Sequence, residues 1–192
     1  RSLTGAFIRK YVNPKATAGE RGLYKSSTPF KVFRYAEVLL NRAEALYELG
    51  LLKGDESLKA EAFVYINQVR ERAGARPYTM VSAPADVGGE INAIYPIDEN
   101  LQFIRDERAR ELAFENHRFF DLRRWRVLHT KMENFYARGL MGYYVVDEGK
   151  YIFLNDREKE NRGLSYNRAN YHQQIPGGQI NRNPNLIRND GH

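Results

Sequence analysis

The chain holds 192 residues, 42% hydrophobic and 28% charged, with 30 Lys and Arg against 24 Asp and Glu for a net charge of +6. That length gives one domain with a sizeable core, and that composition excludes a disordered chain. The absence of cysteine excludes disulfides, thiolate metal sites and cysteine nucleophiles, no apolar run approaches the roughly 20 residues that span a bilayer, and the basic residues are interleaved with acids rather than clustered as nucleic-acid binding requires.

Residues 1–31 read as an irregular lead-in: "GAFIRKYV" is extended, and "NPKATAGERG" is a loop by its Pro and Gly content. The opening "RSLTGAFIRKYV" has no initiator Met, no apolar signal core and no cleavage site, so it reads as the middle of a longer chain. In "KVFRYAEVLLNRAEALYELG", Phe33, Ala36, Leu40, Ala43 and Tyr47 recur at steps of three and four, which predicts an amphipathic helix with Gly50 as its stop. A second helix follows over Asp55–Ala73 on a stripe of Leu58, Ala62, Ile66, Val69 and Ala73, with Gly74 at its end. The two make an antiparallel helical hairpin over 32–74, similar to one tetratricopeptide unit, whose small Ala residues let the helices approach. A lone unit of this kind needs neighbours to bury its face. The Leu39, Leu40 and Leu46 side of the first helix is therefore expected to lack cover.

Residues 75–97 are rich in Pro, Gly and Ala and read as a loop. Asp98 is a natural N-cap for a third helix, with Leu101, Ile104, Arg108, Leu112 and Glu115 on one strip. A fourth helix is expected from Arg118 to Met132, so that 98–132 forms a helix pair. "YYVVDEGKYIFL" is a β-hairpin signal, with Gly149 supplying a positive φ. The last forty residues, with Pro176 and Pro184, read as an irregular tail, giving a hairpin and tail over 143–192.

The stretch "ERARELAFENHRFFDLRRW" packs charges of both signs against large aromatics. Glu107, Glu111 and Glu115 stand four apart on one helix face, with Arg105, Arg108 and Arg110 between them and Arg118, Asp121, Arg123 and Arg124 following. Carboxylates at helical spacing beside that many guanidiniums form ion pairs. They are read as structural, and so are Phe119, Phe120 and Trp125, which with Leu122 form an apolar surface at helical spacing. Asn116 falls between two helices, where its tolerance of the left-handed conformation suits a helix end. His117 and Glu115 are two apart, whereas helical metal motifs place ligands three or four apart. No nucleophile with an adjacent base, no phosphate-cradling glycine loop and no metal or cofactor site is found.

Taken in order, "TGAFIRKYV", "RYAEVLLNRAEALYELG", "INQVRERAGA", "ERARELAFENHRFFDLRRW" and "QQIPGGQINRNPNLIRNDG" resemble the signature blocks of the SusD/RagB family, covering Gly5 to Gly191. Asn116 stands where members often have Gly, "PGGQIN" replaces a Pro-x-x-Glu pattern, and "NDGH" replaces an Asn-Pro-Gly-aromatic ending. The resemblance is to the C-terminal portion of such proteins. It implies a mainly α, SusD-like fold built on tetratricopeptide-like hairpins, with a small β-hairpin and an irregular C-terminal tail. It implies a surface-exposed outer-membrane lipoprotein, anchored through an N-terminal Cys that this chain does not contain. Such a protein captures glycans or peptides without catalysis and passes them to a SusC-type TonB-dependent transporter. Its partners would be that transporter, an oligosaccharide or polysaccharide, and the missing N-terminal part of the same protein, with no cofactor and no nucleic acid.

The resemblance carries over no ligand residue. Exposed loop aromatics are the physical candidates, because a flat ring covers the apolar face of a sugar while polar neighbours bond its hydroxyls. They are Tyr78 and Tyr95 in the long loop, and Tyr143 and Tyr144 near the hairpin. Two rival readings stand beside this one. A tetratricopeptide-type adaptor is supported by the hairpin at 32–74. A glycan hydrolase would need two carboxylates about 5 to 9.5 Å apart across an open cleft.

Overall fold

The computed structural model describes residues 10–13, 15–17, 19, 29, 31–88, 97–132, 135–164 and 166–189, with backbone alone at 135–141 and 155–164. The architecture is mainly α with one two-stranded antiparallel sheet, the class that the periodicities predict. The chain divides into two compact units, Lys31–Thr130 and Lys131–His192 together with Arg1–Phe30.

The first unit begins with helices α1 (Tyr35–Lys53) and α2 (Glu56–Arg72). Their inward stripes are Ala36, Leu39, Leu40, Ala43 and Tyr47 on α1 and Ala62, Phe63, Ile66 and Val69 on α2, at the three- and four-residue spacing of an amphipathic helix. Asp55 starts α2 by accepting hydrogen bonds from the backbone N–H groups of Ser57 at 2.9 Å and Leu58 at 3.3 Å. Leu39 and Leu40 are buried and Leu46 packs against the same cluster, so the side of α1 expected to lack cover is closed by its neighbours. The exposed apolar residues of α1 lie elsewhere, at Tyr35, Val38, Leu49 and Leu52.

Gly50 does not stop α1. The helix continues to Lys53, and Gly54 takes the left-handed cap at φ 66°. A Cβ on Gly50 would lie 2.6 Å from Lys59 Cγ and 2.9 Å from the Asp55 carbonyl oxygen. Gly50 is therefore required by the close approach of the start of α2, not by its own backbone angle.

Helix α3 (Glu99–Glu111) is capped as its sequence predicts: Asp98 Oδ1 accepts from the Leu101 N–H at 2.8 Å. The other oxygen of Asp98 accepts from the Tyr47 hydroxyl at 2.8 Å, so one buried carboxylate both starts α3 and fixes it to α1. Leu101, Ile104 and Leu112 complete the core of α1 and α2. The loop before α3 is held by two amides. Asn67 donates to the Tyr78 carbonyl at 3.0 Å and accepts its N–H at 2.8 Å, while Asn100 pairs with both backbone groups of Val81 at 2.9 and 3.0 Å.

The single helix expected over Arg118–Met132 is two. Helix α4 (His117–Arg124) ends in a Schellman arrangement: the Val127 N–H reaches the Leu122 carbonyl at 3.0 Å and the Arg126 N–H reaches that of Arg123 at 3.0 Å. Arg126 takes the left-handed φ of 57° that glycine more often supplies, so no glycine marked this end. A short helix α5 (Leu128–Lys131) follows.

In the second unit, β1 (Phe135–Val145) pairs antiparallel with β2 (Lys150–Leu164) through a 3-10 turn at Val146–Glu148 and Gly149 at φ 61°. The strands extend well beyond "YYVVDEGKYIFL", because backbone pairing continues through the polar outer half of β2 and the glycine-interrupted outer half of β1, with register shifts at Tyr136/Arg138 and Gly139/Met141. The tail is not wholly irregular. A 3-10 turn at Arg168–Tyr171 carries a reciprocal Asn167–Asn170 capping box, and helix α6 (Gly177–Arg182) follows Pro176. Gly177 and Gly178 form the first turn of α6, where Pro176 presets φ at −54° and its carbonyl accepts the Gln179 N–H at 2.8 Å.

Two outcomes follow from this packing. Gly50→Ala, which adds about 1 kcal/mol of intrinsic helix propensity, should nonetheless destabilise by about 1–3 kcal/mol through overpacking, read as a lower urea midpoint with an unchanged m-value. Burial, together with the Asp98 hydrogen bond, raises the pKa of Tyr47 from its ordinary value near 10. Stability from this group is complete below pH 10 and is lost as pH rises, because the unfolded tyrosine ionises first. Tyr47→Phe should be less stable at neutral pH. Above pH 10 its decline should be shallower by up to about 1.4 kcal/mol per pH unit, measured by denaturant titration across pH 8–11.

Candidate functional site

The charged stretch at the end of α3 and through α4 folds into a lattice of ion pairs. Glu107 accepts from Arg70 at 2.7 Å and from Arg110 at 2.8 Å. Glu111 accepts from Arg34, and from Arg72 at 2.5 Å. Glu115 accepts from Arg34 Nε at 2.9 Å. Arg34 therefore binds two of the three carboxylates of the ladder from the residue preceding α1.

The second half of the lattice joins α4 to α1 and α3. Buried Arg108 donates through Nε to both oxygens of Asp121, at 2.8 and 2.9 Å, and through Nη1 to Asn41 at 2.5 Å. Arg124 donates to Asp121 at 2.9 Å and, through both Nη groups, to buried Glu44 at 2.7 and 2.5 Å. Trp125 adds its indole N–H to Glu44 at 2.5 Å. Burial alone would disfavour the Arg124 cation, but its hydrogen bonds to Glu44 and Asp121 more than reverse that, and its pKa is raised. These carboxylates have their lone pairs occupied by guanidinium donors. They are poorly suited to exchanging protons with a substrate.

Helix α4 is two-sided. Asp121, Leu122 and Trp125 face inward and are buried. Phe119 and Phe120, expected to share a core surface with them, are 39% and 65% exposed. They meet edge to face at 5.8 Å, with the Arg123 guanidinium 5.6 Å from the Phe119 ring centre. The turn between α3 and α4 holds both Phe114 and Asn116 at φ 65°, the left-handed conformation that Asn tolerates and Phe rarely adopts. His117 Nε2 stands 3.6 Å from Glu37. Among the described residues no group of three or more His, Asp or Glu side chains is placed to hold a metal ion.

Three of the four tyrosine candidates lie within the described residues. Tyr78 is half-buried, with its ring stacked on Phe103 at 3.6 Å and on Phe63 at 5.2 Å. Tyr95 lies outside the described residues. Tyr143 and Tyr144 are adjacent on β1, and successive side chains on a strand point to opposite faces. Tyr143 is opposite Ile152, while Tyr144 is opposite Tyr151 on the other face, with ring centres 5.0 Å apart. Phe153 is two residues from Tyr151 and faces Gly142 across the pair, so it shares the Tyr144 face beside a partner with no side chain. Tyr144, Tyr151 and Phe153 are 54%, 67% and 50% exposed and make an aromatic platform. Tyr151 and Phe153 were not singled out from sequence. Counting register outward from the turn at "VDEG" pairs Tyr151 with Tyr144.

A family model described as the SusD family matches residues 1–192. SusD-like protein P2 of Formosa agariphila is 31% identical over 183 residues, which are 95% of this chain and 29% of that protein. SusD-like protein P25 of the same organism is 42% identical over 97 residues, 50% of this chain and 15% of its own. A crystal structure of a SusD-like protein from Bacteroides fragilis superposes with a TM-score of 0.55 at 26% identity, over 88% of this chain and 27% of that one. The chain thus spans less than a third of each of these relatives.

The lattice sets an expectation for stability. Asp121→Ala leaves Arg108 buried without the carboxylate that its Nε meets and should cost about 3–5 kcal/mol in chemical denaturation. The double change Arg108→Met with Asp121→Leu should recover most of that loss, because an apolar pair of similar volume removes both buried charges.

Proposed function

This chain belongs to the SusD family, and from that membership we propose that it serves non-enzymatic capture of glycan or peptide nutrients at the outer-membrane surface, with delivery to a SusC-type TonB-dependent transporter. The family is one of nutrient-binding proteins that are generally not catalysts. The partners in this reading are that transporter, an oligosaccharide or polysaccharide, and the N-terminal part of the same protein. Attachment is through a lipid on that part. Among the described residues no helix is long and apolar enough to cross a membrane.

The observation that carries the reading in this chain is the aromatic face of the hairpin. Three exposed rings stand on one side of a two-stranded sheet, and two of them carry hydroxyls. A pyranose ring presents an apolar C–H face bordered by hydroxyls. A tyrosine pair offers that face a flat apolar contact and offers the hydroxyls donors and acceptors. Glu107, Glu111, Glu115 and Asp121 each accept from arginine, which supports binding without hydrolysis.

Tyr151→Ala and Tyr144→Ala should each weaken glycan binding by about tenfold, or about 1.4 kcal/mol, in calorimetric titration with a panel of oligosaccharides. Thermal unfolding should be little changed, since both rings are exposed. Binding that is indifferent to both substitutions would remove the hairpin from the site. A protein that captures no glycan or peptide and does not co-purify with a transporter barrel would overturn the reading.

A further inference from the structure

Resting on the nutrient-capture reading, we infer that the pocket around the α3–α4 turn is a second saccharide subsite, selective for an acidic sugar such as a uronate or a sulfated pyranose. The pocket has a volume of about 560 Å³ and is lined by Phe114, Phe119 and Phe120 together with Asn116, His117 and Arg118. It lies wholly within the first unit and is separate in sequence from the hairpin rings.

The ligand class follows from charge. Three guanidiniums surround the buried Trp125 ring: Arg124 at 4.7 Å, Arg105 at 4.8 Å and Arg118 at 5.8 Å from its centre. Arg124 is neutralised by Glu44 and Asp121, and Arg105 faces Glu48 at 3.4 Å. Arg118 has no carboxylate partner among the described residues, and it lines the pocket. In a region where the neighbouring arginines meet carboxylates, the cation at the pocket wall lacks one. An anionic ligand supplies the missing counter-charge, and the planar guanidinium fork matches a carboxylate or sulfate edge.

The shape of the ligand follows from the rings. Phe120 is the most exposed of the three and presents an apolar surface with no hydrogen-bonding group. A ligand there needs an apolar face against the phenyl ring and its charge toward Arg118 on the wall of the same pocket. An acidic pyranose carries both: C–H groups on one face and a carboxylate or sulfate on its rim. Asn116 and His117 supply donors and acceptors for hydroxyls. A neutral sugar would satisfy the ring and leave Arg118 without its counter-charge.

The test is calorimetric titration of the chain with three probes: oligogalacturonate, a sulfated oligosaccharide and a neutral oligoglucan of matched length. At least one acidic probe should bind about tenfold or more tightly than the neutral one, with affinity falling as salt rises. Arg118→Gln should abolish that preference, and Phe120→Ala should weaken the acidic probe by a similar factor. Lys53→Gln, which also removes one exposed positive charge, should leave the preference intact. Far-UV circular dichroism of each variant establishes folding. Should Arg118→Gln fail to fold, Phe120→Ala decides, because that ring is exposed. Equal affinity for acidic and neutral probes, a preference that survives Arg118→Gln, or acidic-probe affinity unchanged in Phe120→Ala overturns the subsite. Neutral binding lost in Tyr151→Ala would then leave the broader reading standing. Failure of every saccharide and peptide to bind removes both.

Discussion

The carboxylate of Glu44 is the interaction on which the helical unit turns. It is buried on α1 and accepts two hydrogen bonds from Arg124 and one from the Trp125 indole, about eighty residues further along the chain. An ionised carboxylate can be buried only where donors meet it, and those donors come from the end of α4. The requirement is therefore mutual: α1 cannot bury Glu44 without α4, and α4 has no other site for its tryptophan and arginine together. Asp121 extends the constraint, since its oxygens receive Arg108 from α3 and Arg124 from its own helix. Buried pairs of this kind add little net stability against apolar replacements of the same volume, but breaking one side is costly. The lattice accordingly acts more as a register device than as a source of stability.

That register decides which rings of α4 face inward. Fixing Asp121 and Trp125 toward α1 and α3 turns Phe120 to the opposite side. Within α4 only Asp121 and Leu122 are buried. The left-handed residues Phe114 and Asn116 bracket Glu115, whose carboxylate is held by Arg34. A phenylalanine at positive φ is a strained choice, and here it is held between two anchored acids, Glu111 and Glu115. The exposed aromatic surface is thus a consequence of the polar lock beneath it.

The sequence made some of this legible and hid the rest for identifiable reasons. The α1 and α2 stripes, the Asp98 cap and the left-handed Asn116 were readable because each rests on local spacing or on a residue type suited to one backbone state. Gly50 misled because a glycine near a helix end has two explanations, and only the close approach of Lys59 distinguishes them. The end of α4 was invisible because Arg126 occupies a position where glycine is the usual marker. The outer half of β2 is polar and that of β1 is interrupted by Arg138, Gly139 and Gly142, so neither shows a period-two pattern to detect. Tyr143 and Tyr144 are neighbours in sequence but lie on opposite faces, so proximity along the chain was the wrong measure of proximity in a site. Phe119 and Phe120 fell outside the core because helical spacing predicts which residues share a side, not whether anything covers that side.

The two exposed aromatic surfaces differ in chemistry, and the difference has a physical basis. Tyrosine combines an apolar face with a hydroxyl, so a platform of Tyr144, Tyr151 and Phe153 can contact a neutral sugar and bond its hydroxyls with the same side chains. Phenylalanine has no such group, so the rings at the α3–α4 turn depend on neighbours for every polar contact. Those neighbours are Asn116, His117 and Arg118, and the strongest of them is a charge. A saccharide bound by tyrosines is selected mainly by the pattern of its hydroxyls. One bound by phenylalanines beside an arginine is selected mainly by its charge.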